Sequence, residues 1–287
     1  MGVLILVIGK HGQLAKCFRK LEPDACFLSS QQINFCETKK IQDILSPYKP
    51  AVICNFSAFN NVDDAENNNN NNLINSEAML ELGKFSMTRK IPIIHISTDY
   101  VFDGIKGNYL EDDQTNPINE YGLAKLNGER NLLESSYSCL IIRTAWLYSR
   151  FKNNFLEKII LNIIDKKELS GADDCIGSPT SASSLARAIN KIIPKYLNDL
   201  SLGGIYHFAN QGSASRYELI QEIHNLFIKN SSKKYMPLEI TKVKNSLFNL
   251  PAKRPHDTSL NSDKILTTFD IKPSNWKEEL NKEIINR

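Results

Sequence analysis

The sequence predicts an α/β fold, in which a doubly wound parallel sheet with helices on both faces precedes a smaller C-terminal α/β domain. The first half alternates short apolar runs with helical patterns, which is typical of β-α-β units. The opening run at residues 3–8 is continuously apolar and ends at Gly9, as expected of a strand buried on both faces. After about residue 150 the alternation is lost, which indicates a second unit.

The predicted elements follow in chain order. Apolar runs predict strands at residues 3–8, 25–28, 51–55, 91–96, 139–143 and 204–208. Helical patterns, the first of them stopped by Pro23, predict helices at residues 13–21, 41–45, 73–90, 120–134, 155–165, 183–197 and 215–228. Residues 230–258 are polar and irregular. We expect one domain over residues 1–150, with segments from about 175–200 packing back on it, and a second mainly over 151–287.

Composition excludes several functional classes. The 287 residues are 41% hydrophobic and 23% charged, with a net charge of +3 and no basic stripe, so we expect no nucleic-acid partner. The apolar residues 1–8 are too few to span a membrane, so we expect no membrane partner and a cytoplasmic location. The six cysteines form no CxxC pair and lie near no histidine cluster, so we predict no metal site.

A run of six asparagines occupies residues 67–72. Asparagine is a poor helix former and favours turns. We therefore expect an exposed loop or a frayed helix start there, without a role in binding.

The turn after the first strand has the pattern of a pyrophosphate site. Gly9, Gly12 and Ala15 lie at three-residue spacing between a predicted strand and a predicted helix. Small residues let the backbone approach a phosphate, and free N–H groups at the helix start favour an anion. An acid or an arginine after the second strand would select NAD or NADP, but residues 28–32 contain neither. We therefore predict NADPH or NADH, without a preference.

Three side chains further along can transfer a proton to a carbonyl oxygen. Tyr121 and Lys125 are four residues apart on a predicted helix and are therefore neighbours on its surface. An ammonium beside a phenol lowers the pKa of the phenol. Thr98 follows the fourth strand, at the sheet edge where ligands bind in open α/β folds. We predict that Tyr121 protonates the carbonyl as hydride arrives from a nicotinamide.

Several segments together resemble a known family. The most specific are STDYVFDG at residues 97–104 and RTAWLY at 143–148, beside GKHGQL at 9–14 and the stretch 117–129 that contains Tyr121. The chain resembles the extended branch of the short-chain dehydrogenase/reductase superfamily, and within it the dTDP-4-dehydrorhamnose reductase family. The resemblance implies a Rossmann-type fold and NAD(P)H-dependent reduction of the 4-keto group of dTDP-6-deoxy-L-lyxo-4-hexulose, giving dTDP-L-rhamnose.

The resemblance also implies roles for individual residues. Catalysis would use Thr98, Tyr121 and Lys125. The cofactor would contact Gly9, Gly12, Gln13, Leu14, Asn34, Phe35, Ala58, Phe59, Asn60, Ile96, Tyr121 and Lys125. Of these, Gly12, Gln13 and Leu14 would lie on the pyrophosphate, Asn34 and Phe35 near the adenine, and Ala58, Phe59 and Asn60 near the ribose and the nicotinamide. The substrate would contact Thr98, Asp99, Trp146, Asn153, Asn154 and Arg254. A homodimer is a further expectation from the family.

The chain departs from the family pattern at three positions. Phe56 is bulkier than the alanine common there, Asn60 replaces a threonine that can touch the cofactor, and Cys175 stands where glutamine is common. These changes put cofactor affinity in question but leave Thr98, Tyr121 and Lys125 in place.

Three other functions stay open. The chain could reduce another nucleotide keto-sugar. It could be a dehydratase or epimerase, although related dehydratases carry Thr-Asp-Glu at the strand end, where this chain has Tyr100. It could be a non-catalytic NADP-binding subunit resembling the regulatory subunit of methionine adenosyltransferase.

Overall fold

The computed structural model describes residues 4–151, 154–233, 235 and 237–286. The strands are β1 (Ile5–Ile8), β2 (Cys26–Leu28), β3 (Val52–Asn55), β4 (Ile93–Thr98), β5 (Cys139–Thr144), β6 (Leu147–Tyr148), β7 (Leu169–Ala172), β8 (Ile176–Gly177), β9 (Thr180–Ser181), β10 (Gly204–His207), β11 (Ala214–Ser215) and β12 (Ile240–Val243). The α-helices are α1 (Gln13–Phe18), α2 (Ile41–Leu45), α3 (Asn70–Asn72), α4 (Ala78–Arg89), α5 (Glu120–Ser135), α6 (Phe155–Ile164), α7 (Ala182–Asn198), α8 (Arg216–Asn230), α9 (Asp263–Phe269) and α10 (Trp276–Ile285).

The central sheet of the described chain is parallel, with the strand order β10-β5-β4-β3-β1-β2. The chain adds β2 on one side of β1 and then crosses to β3 on the other side. The strand order therefore reverses between β1 and β3, and a crevice opens there at the carboxyl ends of the strands. The predicted doubly wound α/β fold is confirmed.

Two apolar layers sandwich this sheet. On one face of the sheet, Val7 and other strand residues pack against α1 and α7. Leu14 of α1 and Ile189 of α7 are buried there. Leu6 and its neighbours pack with α2, α4 and α5 on the other face, around Leu82 and Leu132. The strands have apolar side chains on both sides because helices cover both sides.

A separate apolar cluster lies in the later part of the chain. It joins α6, α8 and α10 through residues such as Ile160, Leu219 and Leu280. Beside it, β7 pairs with β12. In contrast, α7 packs against α1, and β10 extends the central sheet beside β5. No helix among the described residues is long and apolar enough to cross a membrane.

A buried ion pair fixes α5 to the sheet. Glu129 of α5 accepts hydrogen bonds from Arg143 of β5, with 2.7 Å between Arg143 Nη2 and the carboxylate, and both side chains are buried. Two buried charges are tolerated only when paired in this way. The pair therefore holds the helix that carries Tyr121 against the strand beside β4.

The structure corrects several expectations. Strand β4 begins and ends two residues later than predicted, so Thr98 is its last residue. Residues 230–258 are not wholly irregular, since they contain β12. The expectation for the asparagine run is confirmed only in part: Asn68 and Asn69 are not helical and most of the run is exposed, but Asn70–Asn72 is helical, Leu73–Glu77 is a π-helical turn leading into α4, and Asn71 is buried.

Candidate active site

The carboxyl end of β4 carries the first two site residues. Thr98 is buried, and its Oγ1 donates to Asp99 Oδ1 at 3.1 Å and accepts from the Tyr100 N–H at 3.2 Å. Asp99 is also buried and accepts a hydrogen bond from the Thr258 hydroxyl. Burial raises the pKa of Asp99 to about 6, although these hydrogen bonds oppose the shift.

Helix α5 begins close to this strand end. Asn119 caps the helix by accepting from the Gly122 N–H at 2.8 Å. A Cβ at Gly122 would lie 2.1 Å from the Tyr100 carbonyl oxygen, so only glycine lets the helix approach so closely. The Tyr100 and Tyr121 rings meet edge to face at 6.0 Å. The first turn of α5 therefore brings Tyr121 beside Thr98.

The acid–base properties of Tyr121 differ from the expectation. Burial raises its pKa, and a hydrogen bond with Thr98 opposes this shift. The net shift is therefore upward, opposite to the lowered pKa that the sequence predicts, because burial outweighs the hydrogen bond with Thr98. The phenol is therefore protonated at neutral pH, as a proton donor requires.

Lys125 is anchored by a buried polar chain. Its Nζ donates to the Ile96 carbonyl at 2.7 Å and lies 3.0 Å from His95 Nε2. His95 Nδ1 in turn lies 3.0 Å from Asn55 Nδ2, across the paired strands β3 and β4. Burial lowers the pKa of Lys125 to about 8. Burial and the nearby Lys125 hold the pKa of His95 well below its ordinary value.

The glycine turn lies at the crevice between β1 and β3. Gly9 has φ +104°, and a Cβ there would lie 2.9 Å from the Phe56 carbonyl carbon. The Gln13 side chain, at the start of α1, hydrogen-bonds to the segment after β5: its Nε2 donates to Leu147 O and its Oε1 accepts from the Ser149 hydroxyl. A cavity of about 280 Å³ opens here and contacts Gly12, Gln13, Leu14, Ala58, Asn60, Ile96, Thr98, Tyr121 and Lys125.

Two buried hydroxyls in this cavity fit a bound cofactor. Ser97 Oγ and Thr144 Oγ1 have no hydrogen-bond partner among the described residues, and both residues line the cavity. Buried polar groups normally have partners, and unpartnered ones mark sites for a ligand or water. Together with the glycine turn, they make this cavity suitable for a nucleotide cofactor.

A second cavity of about 630 Å³ adjoins the first, since Tyr100, Trp146, Leu147 and Arg216 line both. The Arg216 guanidinium stacks on the Trp146 ring at 3.5 Å. Trp146 has φ +43°, and a Cβ at Gly177 would lie 2.4 Å from its indole. Gly177 therefore makes room for the indole at the junction of the two cavities.

Of the other residues predicted to contact the substrate, one lines the larger cavity and one lines neither cavity. Arg254 lines the larger cavity and pairs with Asp63 at 2.8 Å. Asn154 caps α6 and donates to Ser149 O, and it lines neither cavity. Asn153 lies outside the described residues.

Three residues predicted near the adenine or the nicotinamide line neither cavity: Asn34, Phe35 and Phe59. Asn34 is exposed and hydrogen-bonds to Glu37 and the Cys36 N–H, while Phe35 is buried in the core beneath α2 and α4. Phe59 lines neither cavity. The Asn75 side chain accepts a hydrogen bond from the Phe59 N–H and donates one to the Phe59 carbonyl. The roles of these residues stay predictions.

Several residues that line the larger cavity are not predicted by the sequence. Arg216, Asp63, Phe155, Phe248 and Thr258 contact the larger cavity, although they are distant from one another in sequence. Arg216 follows Ser215, which forms a capping box with Glu218 at the start of α8. That capping pattern predicts a helix start but not a ligand, so no local signal marked Arg216.

Comparison with known proteins gives one consistent result. A family model described as RmlD substrate binding domain matches residues 3–287. A dTDP-4-dehydrorhamnose reductase of Sinorhizobium fredii is 31% identical over 282 residues, covering 96% of this chain and 94% of that protein.

Solved structures agree. The dTDP-4-dehydrorhamnose reductase of Bacillus anthracis in complex with NADP has a TM-score of 0.89 and 28% identity, with both chains covered completely. A dTDP-4-dehydrorhamnose reductase from Clostridium acetobutylicum has a TM-score of 0.87 and 31% identity, with 98% of each chain covered.

Proposed function

The chain belongs to the dTDP-4-dehydrorhamnose reductase family, and we propose that it reduces the 4-keto group of dTDP-6-deoxy-L-lyxo-4-hexulose with NADPH or NADH, giving dTDP-L-rhamnose. The observation that carries the proposal is the position of Thr98 and Tyr121. Both line the smaller cavity, next to its junction with a larger one. A cofactor in the first cavity and a nucleotide-sugar in the second would meet at these two hydroxyls.

Tyr121 is the proton donor in this proposal. A bound reduced nicotinamide supplies the hydride to the keto carbon. The Tyr121 phenol gives its proton to the keto oxygen, and the Thr98 hydroxyl turns from Asp99 to donate a hydrogen bond to the same oxygen. The phenol carries its proton at neutral pH before the reaction. Burial raises its pKa and so makes it a weaker acid, and stabilisation of the phenolate by Lys125 would offset this effect.

Lys125 completes the catalytic group. Its Nζ is held by Ile96 O and by His95, one helical turn from Tyr121. A pKa of about 8 means that Lys125 exchanges its proton near neutral pH. We propose that it stabilises the phenolate formed at Tyr121 and helps to return a proton to it.

The proposal divides the chain between cofactor and substrate. Residues 1–150, with segments from about 175–200, bind the cofactor through the glycine turn, Gln13, Leu14, Ala58, Asn60 and Ile96. Residues 151–287 mainly bind the substrate. Asp99 and Trp146 face the sugar, and Arg254 contacts the nucleotide part. We add Arg216, which lines both cavities and has a guanidinium that suits a diphosphate.

An in vitro assay tests the proposal. Purified protein is incubated with dTDP-6-deoxy-L-lyxo-4-hexulose and either NADPH or NADH, cofactor oxidation is followed, and the product is identified. We expect dTDP-L-rhamnose in the wild type and almost none in Tyr121→Phe. Product from a different nucleotide keto-sugar alone would move the proposal to another ketone, and cofactor binding without turnover would favour a non-catalytic subunit.

The other family expectations complete the proposal. We propose a cytoplasmic location and a homodimer, and sedimentation of the purified protein tests the dimer. An elimination mechanism is disfavoured because Tyr100, next to Asp99, offers no second carboxylate.

A further inference from the structure

We propose that Asn71, within the six-asparagine run, is a positioning residue that fixes the start of the catalytic helix relative to the loop beside the cofactor cavity. The inference rests on the proposed function, because the helix carries Tyr121. It assigns a role to a residue for which the sequence predicts none.

Asn71 joins two segments that form the site. Its Nδ2 donates to Glu120 O at 2.9 Å, at the first residue of α5. Its Oδ1 accepts from Asn75 Nδ2 at 2.8 Å. Asn75 in turn accepts from the Phe59 N–H at 3.1 Å and donates to Phe59 O at 2.9 Å. Two amides therefore connect the backbone of Phe59 with the residue before Tyr121.

The direction of every hydrogen bond in this chain is determined. The Phe59 N–H can only donate and the Phe59 carbonyl can only accept, which fixes the orientation of the Asn75 amide. Its NH₂ group therefore faces Asn71, so Asn71 presents its oxygen there and its NH₂ to Glu120 O. A planar group with both a donor and an acceptor is required at residue 71, and asparagine supplies it.

The helix start is held from a second side. The Glu120 N–H donates to Glu66 Oε1 at 3.0 Å, so both backbone groups of Glu120 have partners in residues 64–75. The turn Leu73–Glu77 is π-helical, and such turns frequently occur at functional sites. Here the turn carries Asn75, buried beside Asn71. The first turn of α5 therefore cannot shift without breaking these bonds.

Position matters because proton transfer depends steeply on geometry. A displacement of about 1 Å by a change away from the chemistry can cost on the order of 100-fold in rate. Asn71 touches neither cavity. Its loss should therefore slow chemistry at Tyr121 while cofactor binding stays near normal.

The run provides its own matched control. Asn71 is buried, whereas Asn69, two residues earlier in the same run, is exposed. Asn71→Ala removes both side-chain hydrogen bonds of Asn71, to Glu120 O and to Asn75. Asn71→Asp keeps the shape and an acceptor for Asn75 but removes the donor to Glu120 O. Asn69→Ala changes the composition of the run without touching the bridge.

The experiment measures kcat at saturating substrate, the isotope effect with NADPH deuterated at the transferred position, the NADPH Kd and the melting temperature. For both Asn71 variants we expect kcat to fall by about tenfold or more, a larger isotope effect, and an NADPH Kd within about twofold of wild type. Asn69→Ala should match the wild type. If Asn71→Ala fails to fold, the kcat, isotope effect and NADPH Kd of Asn71→Asp test the inference instead.

Three results would overturn the inference: wild-type kcat and isotope effect in the Asn71 variants, an equal loss in Asn69→Ala, or a fall in kcat matched by weaker NADPH binding. Failure of the proposed function would look different, because the wild type itself would not reduce the keto-sugar.

Discussion

The proposed catalytic corner and the proposed substrate cavity are formed in different ways. Thr98, Tyr121 and Lys125 lie within 28 consecutive residues, on one strand end and one helix turn. The larger cavity is lined by residues from Asp63 to Thr258. Spacing along a helix or strand makes the first region visible in the sequence, whereas the second exists only once distant segments have folded together.

The two regions also differ electrostatically. The corner is enclosed, and burial shifts the pKa values of Asp99, Tyr121 and Lys125. The larger cavity presents Arg216 and Arg254 to an incoming ligand. Changes in the corner should therefore affect chemistry, while changes in the cavity should affect substrate binding.

The largest effect is expected from Tyr121→Phe. Removing the proton donor should lower kcat by about 10²- to 10⁴-fold, with the NADPH Kd nearly unchanged. Steady-state kinetics and cofactor titration measure both. Tyr137→Phe, at an exposed tyrosine after the end of the same helix, is the control. Full activity in Tyr121→Phe would remove the acid role.

A smaller effect, on binding, is expected from Arg216→Ala. Hydrogen bonds to charged groups contribute about 1.5–3 kcal/mol, so the KM for the nucleotide-sugar should rise by roughly tenfold or more, with little change in NADPH affinity. Arg216→Lys keeps the charge but loses the planar stack on Trp146. Its KM for the nucleotide-sugar should lie between those of the wild type and Arg216→Ala. An unchanged KM in Arg216→Ala would place the diphosphate elsewhere.

The pH dependence of stability tests the enclosure of the corner. Burial raises the pKa of Asp99 from 3.8 to about 6. The folded protein therefore binds a proton more readily than the unfolded chain. The resulting stabilisation is complete below about pH 4 and is lost as the pH rises through 6.

Asp99→Asn should remove this dependence. Relative to the variant, wild-type unfolding free energy should fall by about 3 kcal/mol between pH 4 and pH 7, as two pKa units imply. Denaturant unfolding at several pH values measures it, with the exposed Asp24→Asn as control. Parallel curves for wild type and Asp99→Asn would mean that Asp99 is solvated in solution.

The smallest effect is expected from Asp63→Asn. Its ion pair with Arg254 is partly exposed, and such pairs contribute about 0–1 kcal/mol. Unfolding free energy should change by less than about 1 kcal/mol. A large loss of stability would show that the Asp63–Arg254 ion pair, at the larger cavity, contributes more to folding than a partly exposed pair should.

Local pattern accounts for much of the fold and the corner. The apolar runs predict the central strands because strands covered on both faces need apolar side chains on both sides. The four-residue spacing of Tyr121 and Lys125 and the glycine turn are equally local. The shift in the Tyr121 pKa was not predictable, because it depends on how deeply the phenol is buried and on its contact with Thr98.

By itself, then, the sequence predicted the α/β fold, a candidate catalytic trio and the resemblance to a reductase family. Only the tertiary structure decided that Arg216 lies at the junction of the two cavities and that Asn71, in a run of identical residues, is the buried one that bridges Glu120 and Asn75. The reason is physical: periodicity specifies neighbours within one element, whereas burial and long-range hydrogen bonds depend on which elements pack together.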